Sequence, residues 1–225
     1  MPSLLAVGFD LDYTLWDQGG FARTFFRGVA EEVGLRLDLP APLVLARFLR
    51  AWRRLGPGHP RLFDEVLRSL GQEDPSLVAD LVARYRGHRP PMRPYPGARP
   101  ALEALRRRGF RLFLVTDGPG DTQRYKVAAL GLADAFEVGV FTGDFPVLLR
   151  KPSPYPFLAA CRRLEVPPRC CAFVGDNPAT DFESPRALGM LAIGVSTGPY
   201  AGSGEVPGAR PHRRIRDLGE LEGML

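Results

Sequence analysis

Long apolar runs are missing from this sequence of 225 residues. No stretch approaches the roughly 20 apolar residues that a membrane-spanning helix needs, which argues against a transmembrane protein. The first residues contain no basic segment and lead directly to Asp10 and Asp12, unlike a secretory signal peptide. We therefore expect a cytoplasmic protein with no membrane partner.

Cysteine is scarce, with three residues at Cys161, Cys170 and Cys171. The number is odd, two of the three are adjacent, and none is spaced like a zinc ligand relative to the three histidines. These features argue against a disulfide framework or a zinc site. They indicate buried, reduced thiols.

Lysine is almost absent as well, because Lys126 and Lys151 are the only lysines among 30 basic residues and the other 28 are arginine. The formal net charge of +5 is compatible with nucleic acid or with anionic substrates. The arginines, however, are scattered along predicted helices, with no basic arm and no interleaved aromatic residues. We interpret them as solvated faces and expect no nucleic-acid partner.

Short apolar segments alternate with helical segments in most of the chain. The near-continuous apolar runs are typical of strands buried on both faces of a parallel sheet, and they lie at 3–9, 110–116, 171–175 and 190–196. The helical segments between them lie at 98–108, 121–130, 154–164 and 183–188. This alternation predicts an α/β fold with a doubly wound, mainly parallel sheet.

Residues 19–88 have a different pattern, with no convincing strand. Apolar residues recur there at helical spacing in four stretches, which predicts four amphipathic helices in a small all-α bundle. Breaks are predicted at Gly34, at Gly56-Pro57-Gly58 and at Gly71. We therefore predict two domains: an α/β core formed by 1–16 and 91–225, and an inserted helical domain at 17–90.

Acidic residues follow three of the predicted strands. Asp10 and Asp12 follow the first, Asp117 follows the second, and Asp176 follows a later one with Asp181 five residues further on. Ligands of parallel α/β sheets bind beyond the carboxyl ends of the strands. Several carboxylates that converge there would repel each other without a cation, so a hard, oxygen-liganded ion such as Mg²⁺ is implied.

A phosphate is the substrate group that suits the other polar residues at this edge. Thr116 provides a hydroxyl donor and Lys151 a positive charge. A carboxylate is a weak nucleophile against a phosphate dianion, and a bridging cation with Lys151 beside it removes the repulsion. A second carboxyl two residues on can protonate the leaving group and then activate the water that hydrolyses the acyl phosphate.

Four short motifs occur in a fixed order along nearly the whole chain. They are Asp10-Leu11-Asp12-Tyr13-Thr14-Leu15, Thr116-Asp117-Gly118, Lys151-Pro152 and Gly175-Asp176-Asn177-Pro178-Ala179-Thr180-Asp181. In this order they resemble the motifs of the haloacid dehalogenase-like (HAD) hydrolase superfamily, in its phosphatase branch with a helical cap inserted after the first motif. Tyr13 stands where that family often has glycine. The resemblance implies a Rossmann-like HAD core, a cap domain and a Mg²⁺-dependent phosphoric monoester hydrolase.

For the metal, the resemblance implies four residues. Asp10 binds Mg²⁺ through its side chain, and Asp12 binds it through the backbone carbonyl. Asp176 is a direct ligand. Asp181 either binds the metal itself or lies just behind the residues that do.

For catalysis, the resemblance implies that Asp10 is the nucleophile and Asp12 the general acid/base. Thr116 and the backbone of Asp117 hold the phosphoryl group. Lys151 neutralises both the nucleophile and the phosphate. The catalytic residues are thus Asp10, Asp12, Thr116 and Lys151, and the phosphate-binding residues are Asp10, Thr116, Asp117 and Lys151.

Members of this superfamily catalyse different reactions, and two of these are disfavoured here. Haloacid dehalogenases lack an acidic residue at the position of Asp12, since they protonate no oxygen leaving group. Phosphonatases use a cap lysine, and residues 19–88 contain none. We therefore expect hydrolysis of a small phosphomonoester through an aspartyl phosphate.

Three alternatives remain open at this point. A phosphosugar mutase would share Asp10, Asp12 and the metal. A phosphoacceptor switch module and a catalytically inactive binding protein belong to other functional classes. Phosphoglycolate, sugar phosphates and nucleotides are all candidate substrates, and both a monomer and a homodimer are compatible with the sequence.

Overall fold

The computed structural model describes residues 3–56, 59–201 and 208–225, so the Pro57-Gly58 part of one predicted break lies outside the described residues. The chain divides into two compact units. One combines the chain up to Asp17 with Met92–Leu225, and the other is Gln18–Pro91. Among the described residues, no helix is both long enough and apolar enough to span a membrane.

The centre of the first unit is a six-stranded sheet with the strand order β3-β2-β1-β4-β5-β6. The strands are β1 (Ala6–Phe9), β2 (Arg111–Thr116), β3 (Val138–Phe141), β4 (Cys171–Gly175), β5 (Leu191–Val195) and β6 (Arg213–Ile215). Every neighbouring pair is parallel. The predicted α/β fold with a doubly wound parallel sheet is therefore confirmed.

Helices accompany these strands in the first unit. They are α5 (Ala98–Arg107), α6 (Gly120–Ala129), α7 (Tyr155–Arg163), α8 (Glu183–Ala187) and α9 (Leu221–Met224). Strands β1 and β4 are buried along their whole length, as expected for strands covered on both faces. On one face of the sheet, the rings of Phe157 and Phe173 meet edge to face at 4.9 Å between centroids and form part of the core.

Strand β3 is an element that the apolar pattern did not predict. It is only four residues long, and Val140 alone among them is buried. It lies at one edge of the sheet, beside β2. An edge strand needs no continuous apolar run, and Gly139 weakens the signal further.

The second unit consists of four helices, α1 (Gln18–Leu37), α2 (Ala41–Leu55), α3 (Leu62–Ser69) and α4 (Pro75–Gly87). Their apolar stripes form one aromatic-rich core, in which Phe26 and Phe48 stack at 5.0 Å between ring centroids. The predicted break at Gly34 is wrong, because α1 continues to Leu37. Gly34 has a packing role instead, since a side chain there would collide with the backbone around Leu39.

The strand order places three of the four predicted motifs, those that follow β1, β2 and β4, side by side at the carboxyl ends of the strands. Strand β1 lies between β2 and β4, and it is in register with both: Phe9 pairs with Leu114 and with Val174. All three strands run in the same direction, so the residues that follow them lie side by side.

Candidate active site

Strand pairing positions the first carboxylate of the site. The backbone N–H of Asp10 donates to the carbonyl of Val174 at 2.9 Å, which extends the β1–β4 pairing by one residue. Asp176 likewise follows directly after the last residue of β4. These two aspartates are therefore held at neighbouring strand ends by the backbone of the sheet.

Three buried carboxylates come together at this edge. Oxygens of Asp10, Asp176 and Asp181 all lie within 4.8 Å of one another. Burial and the neighbouring charges of Asp10 and Asp181 raise the pKa of Asp176 to about 9. Burial also raises the pKa of Asp10 to about 7, although Lys151 lowers it in part. Without a cation between them, three carboxylates this close together repel one another.

One oxygen in this cluster has no hydrogen-bond partner among the described residues: the buried Oδ2 atom of Asp176. Buried polar atoms are nearly always paired, so an unpaired one indicates a missing partner. A set of carboxylate oxygens is the donor type that hard divalent cations such as Mg²⁺ prefer. The residues present therefore fit a divalent cation.

Two glycines allow the chain to approach these carboxylates closely. A Cβ atom on Gly198 would overlap Oδ2 of Asp176, and it would lie only 2.7 Å from Cβ of Tyr13. A Cβ atom on Gly175 would overlap the carboxylate of Asp181. A residue with a side chain would not fit at either position without movement of the site.

Asp181 differs from Asp176 because its oxygens are already engaged. Lys151 Nζ and Thr180 Oγ1 donate to Oδ1 at 2.8 and 2.9 Å, and the backbone N–H of Asn177 donates to Oδ2 at 3.0 Å. Asp181 is fully buried. Its carboxylate thus ties the loop after β4 to Lys151.

Lys151 is the cation that compensates part of this negative charge. Its Nζ atom donates to Oδ1 of Asp10 at 2.7 Å as well as to Asp181. Burial alone would lower the pKa of Lys151, but the carboxylates of Asp10, Asp181 and Asp117 raise it well above its usual value. The side chain is therefore a permanent positive charge beside Asp10.

The carboxylate of Asp12 is held by a separate set of donors. Lys126 Nζ lies 2.8 Å from each of its oxygens. Gln123 Nε2 donates to Oδ2 at 3.1 Å, and the indole Nε1 of Trp16 donates to Oδ1 at 2.8 Å. Asp12 therefore lies in a hydrogen-bonded network of its own.

Thr116 is the last residue of strand β2, and Asp117 follows it directly. The buried hydroxyl of Thr116 accepts a hydrogen bond of 2.6 Å from Gln123 Nε2, so one amide bridges Thr116 and Asp12. The side chain of Asp117 accepts a hydrogen bond from the hydroxyl of Thr142. This contact engages Oδ1 of the Asp117 carboxylate.

Comparison with known proteins decides the family of this chain. The sequence model of the haloacid dehalogenase-like hydrolase family matches residues 4–189. The chain belongs to this family.

Several relatives that cover most of this chain are named as phosphatases. A glyceraldehyde 3-phosphate phosphatase of Methanopyrus kandleri is 34% identical over 200 residues, which cover 87% of this chain and 85% of that protein. A phosphoserine phosphatase of Thermus thermophilus is 36% identical over 173 residues, covering 77% of this chain and 66% of that protein. The solved structure of a HAD phosphatase from Thermococcus onnurineus is 27% identical, with a TM-score of 0.69 and coverage of 98% and 97%. The chain is accordingly a phosphatase, a phosphoric monoester hydrolase.

One departure from the usual haloacid dehalogenase-like motif has a structural consequence. Tyr13, which stands where the family often has glycine, has a φ of 61°, in the left-handed region. A non-glycine residue there costs about 1–3 kcal/mol. Two hydrogen bonds stabilise this backbone conformation. Tyr13 N donates to Trp16 O at 3.0 Å, and Thr197 Oγ1 donates to Tyr13 O at 2.5 Å.

Sequence reasoning assigned no role to Gln123 and Lys126. Two signals could have found these two residues. Gln123 and Lys126 are three residues apart on the helix that directly follows Thr116-Asp117-Gly118, so they share one face of it. Lys126 is also one of only two lysines in the chain.

Proposed function

We propose that this haloacid dehalogenase-like phosphatase is Mg²⁺-dependent and hydrolyses a small phosphorylated metabolite through an aspartyl phosphate on Asp10. The observation that carries the proposal is the position of Asp10. Its carboxylate is buried, lies in the cluster with Asp176 and Asp181, and has Lys151 Nζ at 2.7 Å. A nucleophilic carboxylate needs this combination of cation sites to approach a phosphate dianion.

The cation would be held by the side chains of Asp10 and Asp176 and by the backbone carbonyl of Asp12. Asp181, whose oxygens already accept three hydrogen bonds, would support these ligands from behind. When bound, Mg²⁺ supplies positive charge that offsets the repulsion between Asp10 and the substrate phosphate. The unpaired Oδ2 of Asp176 supports this assignment.

In the first step an oxygen of Asp10 attacks phosphorus, and the bond between phosphorus and the ester oxygen breaks. Lys151 stabilises the charge on Asp10 and on the phosphoryl group. The Thr116 hydroxyl and the backbone N–H of Asp117 hold the phosphoryl oxygens. Asp12, protonated at this stage, donates its proton to the departing alkoxide.

In the second step Asp12, now a carboxylate, takes a proton from a water molecule. That water attacks the phosphorus of the aspartyl phosphate and releases inorganic phosphate. Asp10 is restored as a carboxylate and Asp12 as an acid. Proton transfer of this kind contributes roughly 10²–10⁴ in rate.

The names of the relatives support one substrate class. The two relatives described above are named for glyceraldehyde 3-phosphate and phosphoserine, both three-carbon phosphomonoesters. We propose a substrate of this kind, with the Gln18–Pro91 unit acting as the cap that selects it. A cytoplasmic location and the absence of a nucleic-acid partner stay predictions from the sequence.

The test is phosphate release from p-nitrophenyl phosphate by wild type and by Asp10→Asn, each with Mg²⁺ and with EDTA. Hydrolysis of this substrate should depend little on contacts with a cap, so it tests the chemistry of the core separately from substrate specificity. We expect wild-type activity with Mg²⁺ only and none for Asp10→Asn. Activity that persists in the variant or in EDTA would refute the proposal.

Specificity is then tested with glyceraldehyde 3-phosphate, phosphoserine, phosphoglycolate, hexose phosphates and nucleoside monophosphates. Release of inorganic phosphate is expected from the three-carbon esters first. Conversion of a hexose phosphate to its isomer without phosphate release would identify the mutase alternative instead.

A further inference from the structure

Lys126 is a buried cation that no motif of the family pattern includes. Its side chain is 5% exposed and the side chain of its partner Asp12 is 18% exposed. The Nζ atom is equidistant from the two carboxylate oxygens, at 2.8 Å each. Lys126 also lies over the indole ring of Trp16, at 5.4 Å from the centroid.

The contacts around Asp12 leave its carboxylate a single orientation. A carboxylate offers about four lone-pair positions. Lys126 contacts both oxygens, Trp16 donates to Oδ1, and Gln123 donates to Oδ2. Four donor contacts therefore meet roughly four acceptor positions, and rotation of the carboxylate would break several of them together.

The composition of the chain points to the same residue. Of the 30 basic residues, 28 are arginine, and lysine occurs only at positions 126 and 151. Both lysines are buried, and each is bonded to a carboxylate of the site. Lysine is a compact point charge, whereas the planar guanidinium of arginine needs more space and a different geometry.

We propose that Lys126 is a positioning residue that holds the carboxyl group of Asp12 in the orientation needed for proton transfer to the leaving group. This inference rests on the proposed function, because it assigns the acid/base role to Asp12. Lys126 acts through Asp12 and exchanges no proton itself. In the step concerned, the ester P–O bond breaks, and the alkoxide takes the proton of the Asp12 carboxyl group.

The leaving-group oxygen must then take the place of one donor around Asp12. Gln123 is that donor, since its contact is the longest of the four and its Nε2 keeps a second partner, Thr116 Oγ1, at 2.6 Å. Lys126 and Trp16 remain in place and keep the carboxyl group aimed at the ester oxygen.

The kinetic test compares Lys126→Met with wild type on two substrates. p-Nitrophenolate leaves without a proton, whereas the alkoxide of glyceraldehyde 3-phosphate or phosphoserine requires one. We expect kcat/KM for the alkyl ester to fall at least ~10-fold further than kcat/KM for p-nitrophenyl phosphate, as part of the roughly 10²–10⁴ that proton transfer contributes. Arg124→Met is the matched control, because Arg124 is on the same helix but pairs with Asp144 at the surface.

A second measurement reports the orientation of Asp12 without any turnover. The chain has two tryptophans, so its ¹H–¹⁵N spectrum has two indole signals, which Trp52→Phe assigns. In Lys126→Met, the Trp16 indole proton should move upfield and exchange faster with solvent, because its bond to Asp12 weakens. Arg124→Met should leave both signals unchanged. If Lys126→Met does not fold, Lys126→Gln replaces it in both measurements.

An equal loss of kcat/KM with both substrates, or no loss with either, would overturn the proposal. An unchanged Trp16 signal in the Lys126 variant would overturn it whatever the kinetics. Failure of the proposed function has a different signature, namely wild-type protein that releases no phosphate from either substrate. In that case the indole signals still show whether Lys126 orients Asp12.

Discussion

The Nζ atom of Lys151 lies 2.7 Å from Oδ1 of Asp10, and the two side chains are only 2% and 9% exposed. An ion pair this deeply buried is unlike the solvated pairs on the helices, such as Arg36–Asp74. Surface pairs contribute about 0–1 kcal/mol, whereas removal of one partner from a buried pair costs roughly 3–5 kcal/mol. We therefore expect Lys151 to contribute to the stability of the fold as well as to the proposed chemistry of the site.

Lys151→Met should affect both properties. With the cation removed, three carboxylates remain close together, so we expect a lower Tm in EDTA and partial recovery on addition of Mg²⁺. The rate of p-nitrophenyl phosphate hydrolysis should fall by about 10²–10³, the effect of losing one preorganised charge contact. Thermal unfolding and steady-state kinetics measure the two effects. The exposed Arg169→Met is the control, and a Lys151 variant within threefold of wild-type activity would contradict the prediction.

Mg²⁺ should stabilise the folded protein through Asp10 and Asp176. Ligands that bind only the folded state raise its stability by mass action. The Tm should therefore rise with Mg²⁺ concentration and fall back to the metal-free value when EDTA is added. Asp176→Asn should lose this response. In EDTA near neutral pH, however, the variant should be more stable than wild type. With its pKa raised to about 9 by burial and by the charges of Asp10 and Asp181, Asp176 must take up a proton on folding or carry a repelled charge, and a neutral amide does neither.

The control for that experiment is Glu103→Gln, a charge change at an exposed position of α5. It should keep the full Mg²⁺ response. A Mg²⁺ response retained by Asp176→Asn, or a lower Tm of that variant in EDTA, would contradict the prediction.

Gly198→Ala should weaken the site by steric overlap alone. The added methyl group would overlap Oδ2 of Asp176 and lie 2.7 Å from Tyr13 Cβ, so a cost of about 1–3 kcal/mol is expected. Mg²⁺ affinity, measured from the Tm shift, should fall as well. Gly28→Ala is the matched control, since a Cβ there meets nothing within 4 Å. In the interior of α1 that change should be neutral or stabilising by roughly 0.5–1 kcal/mol. A Gly198 variant that behaves like the Gly28 variant would refute the steric argument.

Asp74 should make the stability of the helical unit depend on pH. Hydrogen bonds from the Ser76 hydroxyl and the Leu77 backbone lower the pKa of Asp74 below its ordinary 3.8. The backbone N–H groups of Ser76 and Leu77 both donate to the Asp74 side chain, which caps the N-terminus of α4. A carboxylate with a lowered pKa in the folded state adds stability above its unfolded pKa. This contribution disappears as the pH falls through the folded value.

The measurement compares the Tm of wild type and Asp74→Ala between pH 7 and pH 3. Wild type should be more stable at pH 7, and the difference should narrow below pH 3.8. Ser69→Ala, at the end of α3, is the control and should show no such narrowing. A difference that stays constant over the whole range would contradict the prediction.

Burial explains why much of the fold is predictable from the sequence. Strands covered on both faces must be apolar throughout, so β1, β2, β4 and β5 have a local signal. The edge strand β3 has none, because its residues are partly exposed and its existence depends on pairing with β2. Gly34, in the helical unit, is a second position where the local sequence predicts the wrong structure. It resembles a helix break in the sequence, but it is a close contact inside α1.

The candidate site also contains residues that the local sequence predicts and residues that it does not. Asp10, Thr116 and Asp176 are recognisable because each lies at the end of a buried strand or directly after it. Parallel strands bring these positions together. Lys151 and Asp181 follow from their motifs. These features are local in the sequence, since each depends on a few neighbouring residues and on the direction of one strand.

The network around Asp12 has no such local origin. Lys126 and Asp12 are 114 positions apart, and they meet because β2, the strand that leads to α6, pairs with β1 in the sheet. The unpaired oxygen of Asp176 and the fit of Gly198 against it depend equally on segments that are distant in the chain. The chemistry of each side chain and its position after a buried strand can be read from the local sequence. The strand order and the partners of each carboxylate are decided by packing, because contact distances arise only when the elements are assembled.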